Sequence, residues 1–330
     1  MQIRHFQIIV PVLIFVIGVS GHASGQDDLN TFDPSYVVYK KTDQGDSCHR
    51  ARLAPYEPSY VKVHKSVGDD LTLRAHYSFK YTAYPVSNEL ESNDGKSCTT
   101  NILADEHLIY PDGEIYLSYI GEFDFYMFDS PDRPSSPVIN RISNPALHYR
   151  RHLENINWID VGFEHRSNGQ TTEVSSPADA ARVQQAYIQE DRVFFDGISR
   201  GSNYFSLEVH KLIRNADKDK EISTYVKLKV YASKNSEITW GPLAGTNISI
   251  SDYDRLRFLA KRALLGNDEL TIEWMLGDKM LKTDSWNLDY QFSRSAALPL
   301  YIGFHFGPMQ TLSDYTTEVK SISIGLKFAP

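Results

Sequence analysis

The sequence predicts an all-β fold, an antiparallel transmembrane β-barrel of about 12 strands. Three observations carry that reading. Apolar and polar residues alternate with a period of two in segment after segment, each roughly the nine to eleven residues a tilted strand needs to cross a bilayer. Aromatic residues are abundant, with 20 Tyr, 16 Phe and 4 Trp in 330 residues, and many fall near segment ends. The chain opens on an export signal and closes on an alternating segment that ends at Phe328. A water-soluble sandwich also alternates, with its polar face simply wet; the three features together favour the barrel.

At the N-terminus, Arg4 and His5 precede an apolar run from Ile8 to Val19, followed by Gly21-His22-Ala23-Ser24-Gly25. This is the pattern of a secretory signal peptide, residues 1–25, cut after Ala23 or Gly25. The apolar run is too short to favour a retained anchor helix. Export places Cys48 and Cys98 in an oxidising compartment, where one disulfide is expected. Two cysteines alone cannot make a zinc site. The formal net charge of −8 gives no broad basic field for nucleic acid. Apolar residues make up 41%, and mean hydropathy is −0.38, which excludes a bundle of spanning helices.

Residues 26–55 are polar and read as an N-terminal extension; the barrel is assigned to 56–330. Leu71, Leu73, Ala75, Tyr77 and Phe79 share one face of the first clear strand, and Ile115, Leu117 and Tyr119 begin the next. A loop follows at Asp129–Pro137, rich in Pro, Ser and Asp. Shorter segments are read at 145–150 and 158–167, a polar loop from Asn168 to about Asp179, and a further strand at 182–190. The second half repeats the theme with strands near 205–210, 225–232, 255–261, 270–276, 286–292, 300–306 and 321–328. Many opposite faces carry charge, as at Lys227 and Lys229 or Arg255 and Arg257.

The stretch 158–167 carries the chemistry. Ile159, Val161, Phe163, His165 and Ser167 share one face; Trp158, Asp160, Gly162, Glu164 and Arg166 share the other. In a barrel the apolar face meets lipid. A histidine and a serine therefore sit about 6.5 Å apart at the backbone, near a strand end, on the lipid-facing wall. A serine hydroxyl becomes a nucleophile when a base takes its proton, a task suited to histidine, and a third group commonly orients the base.

The run Asp160-Val161-Gly162-Phe163-Glu164-His165-Arg166-Ser167-Asn168-Gly169 resembles the catalytic motif of the outer membrane phospholipase A family, His-x-Ser-Asn-Gly on a barrel strand. Weaker matches occur in the same order, at Pro55–Tyr60, at Ser135-Ser136-Pro137, and at Leu312–Tyr315 with Ser323–Leu326. The resemblance implies a phospholipase that hydrolyses acyl esters of glycerophospholipids, with His165 as base and Ser167 as nucleophile. It also implies the outer membrane of a Gram-negative bacterium and a homodimer when active.

The chain departs from the family at the third residue, an asparagine fourteen positions after the histidine. Plain counting lands on Asp179. Alignment of the next strand on Ala186-Tyr187 lands on Gln184, which shares a face with Ala186 and Ile188. Both remain candidates for the orienting role. The resemblance further implies calcium as electrophile at the dimer interface. Its oxygen ligands would be the carbonyl of Gln170, a serine at 175 or 176 (Ser175 in plain counting) and the partner's Ser135, with Glu173 as a substitute. The departures motivate an alternative, a barrel without hydrolase activity that serves as a pore or a structural protein.

Overall fold

The computed structural model describes residues 37–42, 45–50, 53–67, 71–84, 113–128, 138, 140–153, 156–170, 177–189, 191–214, 221–232, 249–264, 268–292, 299–312 and 315–328. The expected signal peptide, Cys98, Ser135, Glu173 and Ser175 lie outside them.

Twelve antiparallel strands close into a ring: β4 (Ser59–Ser66), β5 (Leu71–Tyr84), β6 (Gly113–Tyr126), β7 (Asn140–Leu153), β8 (Ile156–Ser167), β9 (Gly201–Arg214), β10 (Glu221–Tyr231), β11 (Leu256–Ala263), β12 (Glu269–Gly277), β13 (Met280–Gln291), β14 (Leu300–Gly307) and β15 (Val319–Phe328). Each pairs with its sequence neighbours, and β15 returns to β4 from Ser321↔Ser66 to Phe328↔Ser59. Residues of the expected N-terminal extension also form strands. β1 (Val37–Thr42) pairs with β2 (Gly45–Arg50), which contains Cys48, and the two-residue β3 (Leu53–Ala54) lies on β5.

The expected strand count is correct, but its membership is not. Residues 182–190 fall in a helix, α1 (Pro177–Gln189), followed by a short α2 (Arg192–Asp196). The missing strand is β4, whose proline-rich approach masked it in the sequence. Val183 and Ala186, three apart, are buried with Phe195 and Ile198 in a small core of their own. A short apolar run fits both periods, and here tertiary packing chose the helical one. The segment read at 145–150 is part of a strand of 14 residues.

The faces are inverted relative to a soluble protein. Leu117, Leu147, Val161, Phe205, Leu207 and Val230 are exposed on the outside, whereas Lys80, Glu114, Arg150, Asp160, Glu164 and Lys229 are buried inside. Buried charges need partners. Arg74 grips Asp124 with two bonds of 2.6 and 2.7 Å, Lys227 reaches Glu164 at 2.6 Å, and Lys229 and Arg257 converge on Asp254. Outside, Tyr77, Phe79, Tyr119 and Phe123 form an aromatic cluster across β5 and β6.

The lumen holds a cavity of about 400 Å³. At one end Tyr56, Glu57 and Pro58 fold inward, tied to Ser78 and His76 by bonds of 2.6 to 3.1 Å. At the other end Ile142, Met275 and Met309 line it, backed by Ile250, Tyr253, Leu312 and Tyr315. That cap depends on Gly277, where an added Cβ would stand 1.6 Å from the Asp252 carbonyl oxygen.

Leu207, midway along β9 and facing outward, tests the orientation of the wall. Leu207→Arg is expected to destabilise the folded barrel in lipid by about 2–4 kcal/mol, the usual cost of a cation on a barrel's outer face near the midplane. Reversible urea unfolding in bilayers measures it.

Candidate active site

β8 places its groups by alternation. Trp158, Asp160 and Glu164 are buried inward; Val161 and Phe163 are exposed outward, and His165 and Ser167 continue the outward face. Ser143 of β7 stands opposite Ser167 on one flank. On the other flank, Gly201 of β9 stands opposite Ser167 and Asn203 stands opposite His165. Gly201 offers no side chain beside the serine.

His165 Nδ1 lies 2.8 Å from Asn203 Oδ1. An amide oxygen can only accept, so the proton of this bond sits on Nδ1 and leaves Nε2 as the basic nitrogen. The pairing also explains the short distance. The main-chain carbonyl of His165 points to β7, where it accepts from Asn144 Nδ2 at 2.8 Å. Towards β9, His165 and Asn203 are therefore a non-hydrogen-bonded pair, the arrangement that brings side chains closest. The inward neighbours of the two residues lock this register from behind: Tyr204 donates to Glu164 at 2.8 Å, and Lys227 pairs with the same carboxylate.

The two residues after the serine are structural. Asn168 is fully buried. Its amide donates to the Ile198 carbonyl at 2.7 Å, its side-chain oxygen accepts from the Arg200 N–H at 2.8 Å, and its carbonyl accepts from the Arg141 N–H. Gly169 has φ of +59°, the left-handed region that glycine enters without penalty. Together they turn the chain out of β8 and fasten the approach to β9, so the helical insertion leaves and returns at one point. Gln170 follows, its Nε2 donating to the Val138 carbonyl at 3.2 Å.

Of the residues singled out from sequence, His165 and Ser167 lie two apart at the end of β8, opposite Asn203 and Gly201 of β9. Gln184 and Asp179 do not join them. Both lie on α1, Gln184 exposed and Asp179 within 3.6 Å of Arg182 in an i,i+3 pair. The imidazole's partner is Asn203, 38 positions after the histidine in sequence. The signal for it was present: Asn203 extends the apolar face of Phe205, Leu207 and Val209 by one step, as His165 extends that of Ile159, Val161 and Phe163. Gln170 is the one expected calcium ligand among the described residues. No group of three or more His, Cys, Asp or Glu placed to hold a metal occurs among them.

A second serine–histidine–carboxylate chain lies on the inner wall. Ser118 Oγ is 3.0 Å from His148 Nε2, and His148 Nδ1 is 2.8 Å from Asp160 Oδ1. All three are buried, none lines the cavity, and Tyr56 covers the histidine. Arg150 and Tyr116 also hold Asp160. With no space for a substrate, this trio is part of the interior polar network.

No protein-family model and no curated protein sequence matches the chain. Solved structures do match in fold. Outer membrane phospholipase A from Escherichia coli superposes with a TM-score of 0.56 at 13% identity, covering 84% of this chain and 94% of that one. The Salmonella typhi outer membrane phospholipase, described as a dimer with bound calcium, gives 0.56 at 12% identity, covering 84% and 91%. An active-site mutant of the E. coli protein, with an asparagine replaced by alanine, gives 0.54 at 12%, covering 83% and 90%. These likenesses establish the barrel architecture.

Asn168→Ala removes the partner of two buried main-chain groups, each costing about 1–3 kcal/mol when left unpaired. The α1–α2 segment is expected to be cut faster in limited proteolysis, with the strands still protected.

Proposed function

We propose that the chain is a phospholipase of the outer membrane of a Gram-negative bacterium. It would hydrolyse acyl esters of glycerophospholipids at His165, Ser167 and Asn203. The observation that carries this is the 2.8 Å His165–Asn203 bond beside Ser167 on the outward, apolar face near a strand end. An ester at the boundary of headgroup and acyl chain reaches such a position from the bilayer itself. The sequence motif supports the reading. So does the fold shared with two bacterial phospholipases, one of whose active sites includes an asparagine.

In the mechanism, Ser167 Oγ attacks the ester carbonyl carbon while His165 Nε2 takes the hydroxyl proton. Asn203 holds the imidazole through Nδ1–H and favours the imidazolium that forms. Collapse of the tetrahedral intermediate breaks the bond to the glycerol oxygen, which leaves with the proton from His165. Water, deprotonated by the same nitrogen, then attacks the acyl-serine and releases a fatty acid.

Calcium and dimerisation belong to the same proposal. Gln170 follows the serine by three positions, and its carbonyl would supply one oxygen ligand; Ser175 and the partner's Ser135 would complete the set. A bound calcium would polarise the ester carbonyl. The alternative, a pore or structural barrel, rests on the barrel architecture alone, whereas the hydrolase reading also has the His165–Asn203 bond beside Ser167.

Deacylation of phosphatidylethanolamine in mixed micelles tests the reading. Ser167→Ala is expected to lower kcat by about four orders of magnitude. Asn203→Ala should cost about 10²-fold, while Gln184→Ala stays near wild type. Activity retained in Ser167→Ala would sink the proposal. In the same assay a calcium chelator should abolish turnover and added calcium restore it; turnover unchanged by the chelator removes the metal from the mechanism.

A further inference from the structure

Proline in the middle of a sheet removes a ladder donor. Pro145 stands in the centre of β7, and its place is not arbitrary. The pairs Ser143↔Ser167 and Ala146↔Glu164 put Pro145 directly opposite His165. The His165 carbonyl points to this side, where a main-chain N–H would normally meet it, and Pro145 has none. The side chain of Asn144 fills the gap: buried and turned inward, it donates from Nδ2 to the His165 carbonyl at 2.8 Å. An unpaired carbonyl in a wall that faces hydrocarbon is costly, so this substitution holds the strand together at the base. It also frees the outer face. Pro145 presents an exposed ring beside the imidazole, and Tyr119 of β6 stands opposite Pro145 on its other side.

Resting on the proposed hydrolase reading, we propose that Asn144 is a positioning residue for His165. It stands in for the N–H that Pro145 lacks, and it fixes the main chain of the base while Asn203 fixes its ring. His165 is thus held from two strands by two side-chain amides, one on its carbonyl and one on Nδ1. The device lets a ring without a donor flank the imidazole without loosening the strand.

A double-mutant cycle tests this. Asn144→Ala is expected to lower kcat about tenfold with KM unchanged, and Asn144→Leu, similar in size but without a donor, should do the same. Pro145→Ala restores a main-chain N–H opposite His165, so the double variant Asn144→Ala/Pro145→Ala should recover to within about threefold of Pro145→Ala alone. The Nδ1–H proton resonance of His165, read by NMR in detergent, should shift in Asn144→Ala and return in the double variant. An unchanged kcat in both Asn144 variants overturns the inference, as does a double variant no better than Asn144→Ala. The resonance is independent of turnover. If the wild-type protein hydrolyses no lipid, the hydrolase reading fails, and the resonance still decides whether Asn144 positions the ring. Equal resonances in wild type and Asn144→Ala overturn it there too.

Discussion

A closed ring of strands has no free edge, and its outer wall must satisfy every main-chain group without water. That constraint organises this molecule. It drives the apolar residues outward and the charged ones inward, where each charge must find a partner. The inner pairs then fix the register between neighbouring strands. A slip of one residue would turn every face over and break them together. Glu164, Tyr204 and Lys227 illustrate the consequence. They are buried and face the lumen, yet by pinning β8, β9 and β10 they set His165 opposite Asn203 on the outside.

The site shows how far local spacing reaches. That His165 and Ser167 share a face is a period-two relation within one strand, so it was legible in the sequence. So was the outward face, because the three apolar residues before His165 define it. The hydrogen-bond partner of the imidazole was not, because its position depends on how long the chain wanders between β8 and β9. Residues 182–190 alternate loosely enough to pass for the next strand, and on that assumption Gln184 takes the place beside the histidine. In the structure Val183 and Ala186 pack with Phe195 and Ile198 in a helical insertion, and the chain returns at Arg200. Asn168 holds both ends of that excursion, which gives a structural reason for Asn and Gly after the serine, apart from any chemistry.

The same logic separates two arrangements of one chemistry. Ser118, His148 and Asp160 have the connectivity of a serine relay with good distances, and no short sequence motif points to it. Ser167, His165 and Asn203 have an uncharged third member and face out of the wall. What distinguishes them is access: the first trio is sealed inside a network with Arg150, Tyr116 and Tyr56, the second opens towards lipid. Hydrogen-bond geometry alone does not separate the two.

Reaction with a long-chain sulfonyl fluoride, followed by mass mapping of the modified peptide, tests the central claim most directly. The proposed roles of His165 and Ser167 predict modification of Ser167 in the folded barrel, none at Ser118, and none at Ser167 once His165 is replaced by alanine. Modification at Ser118 with Ser167 untouched would contradict them, as would a folded protein that reacts at neither serine.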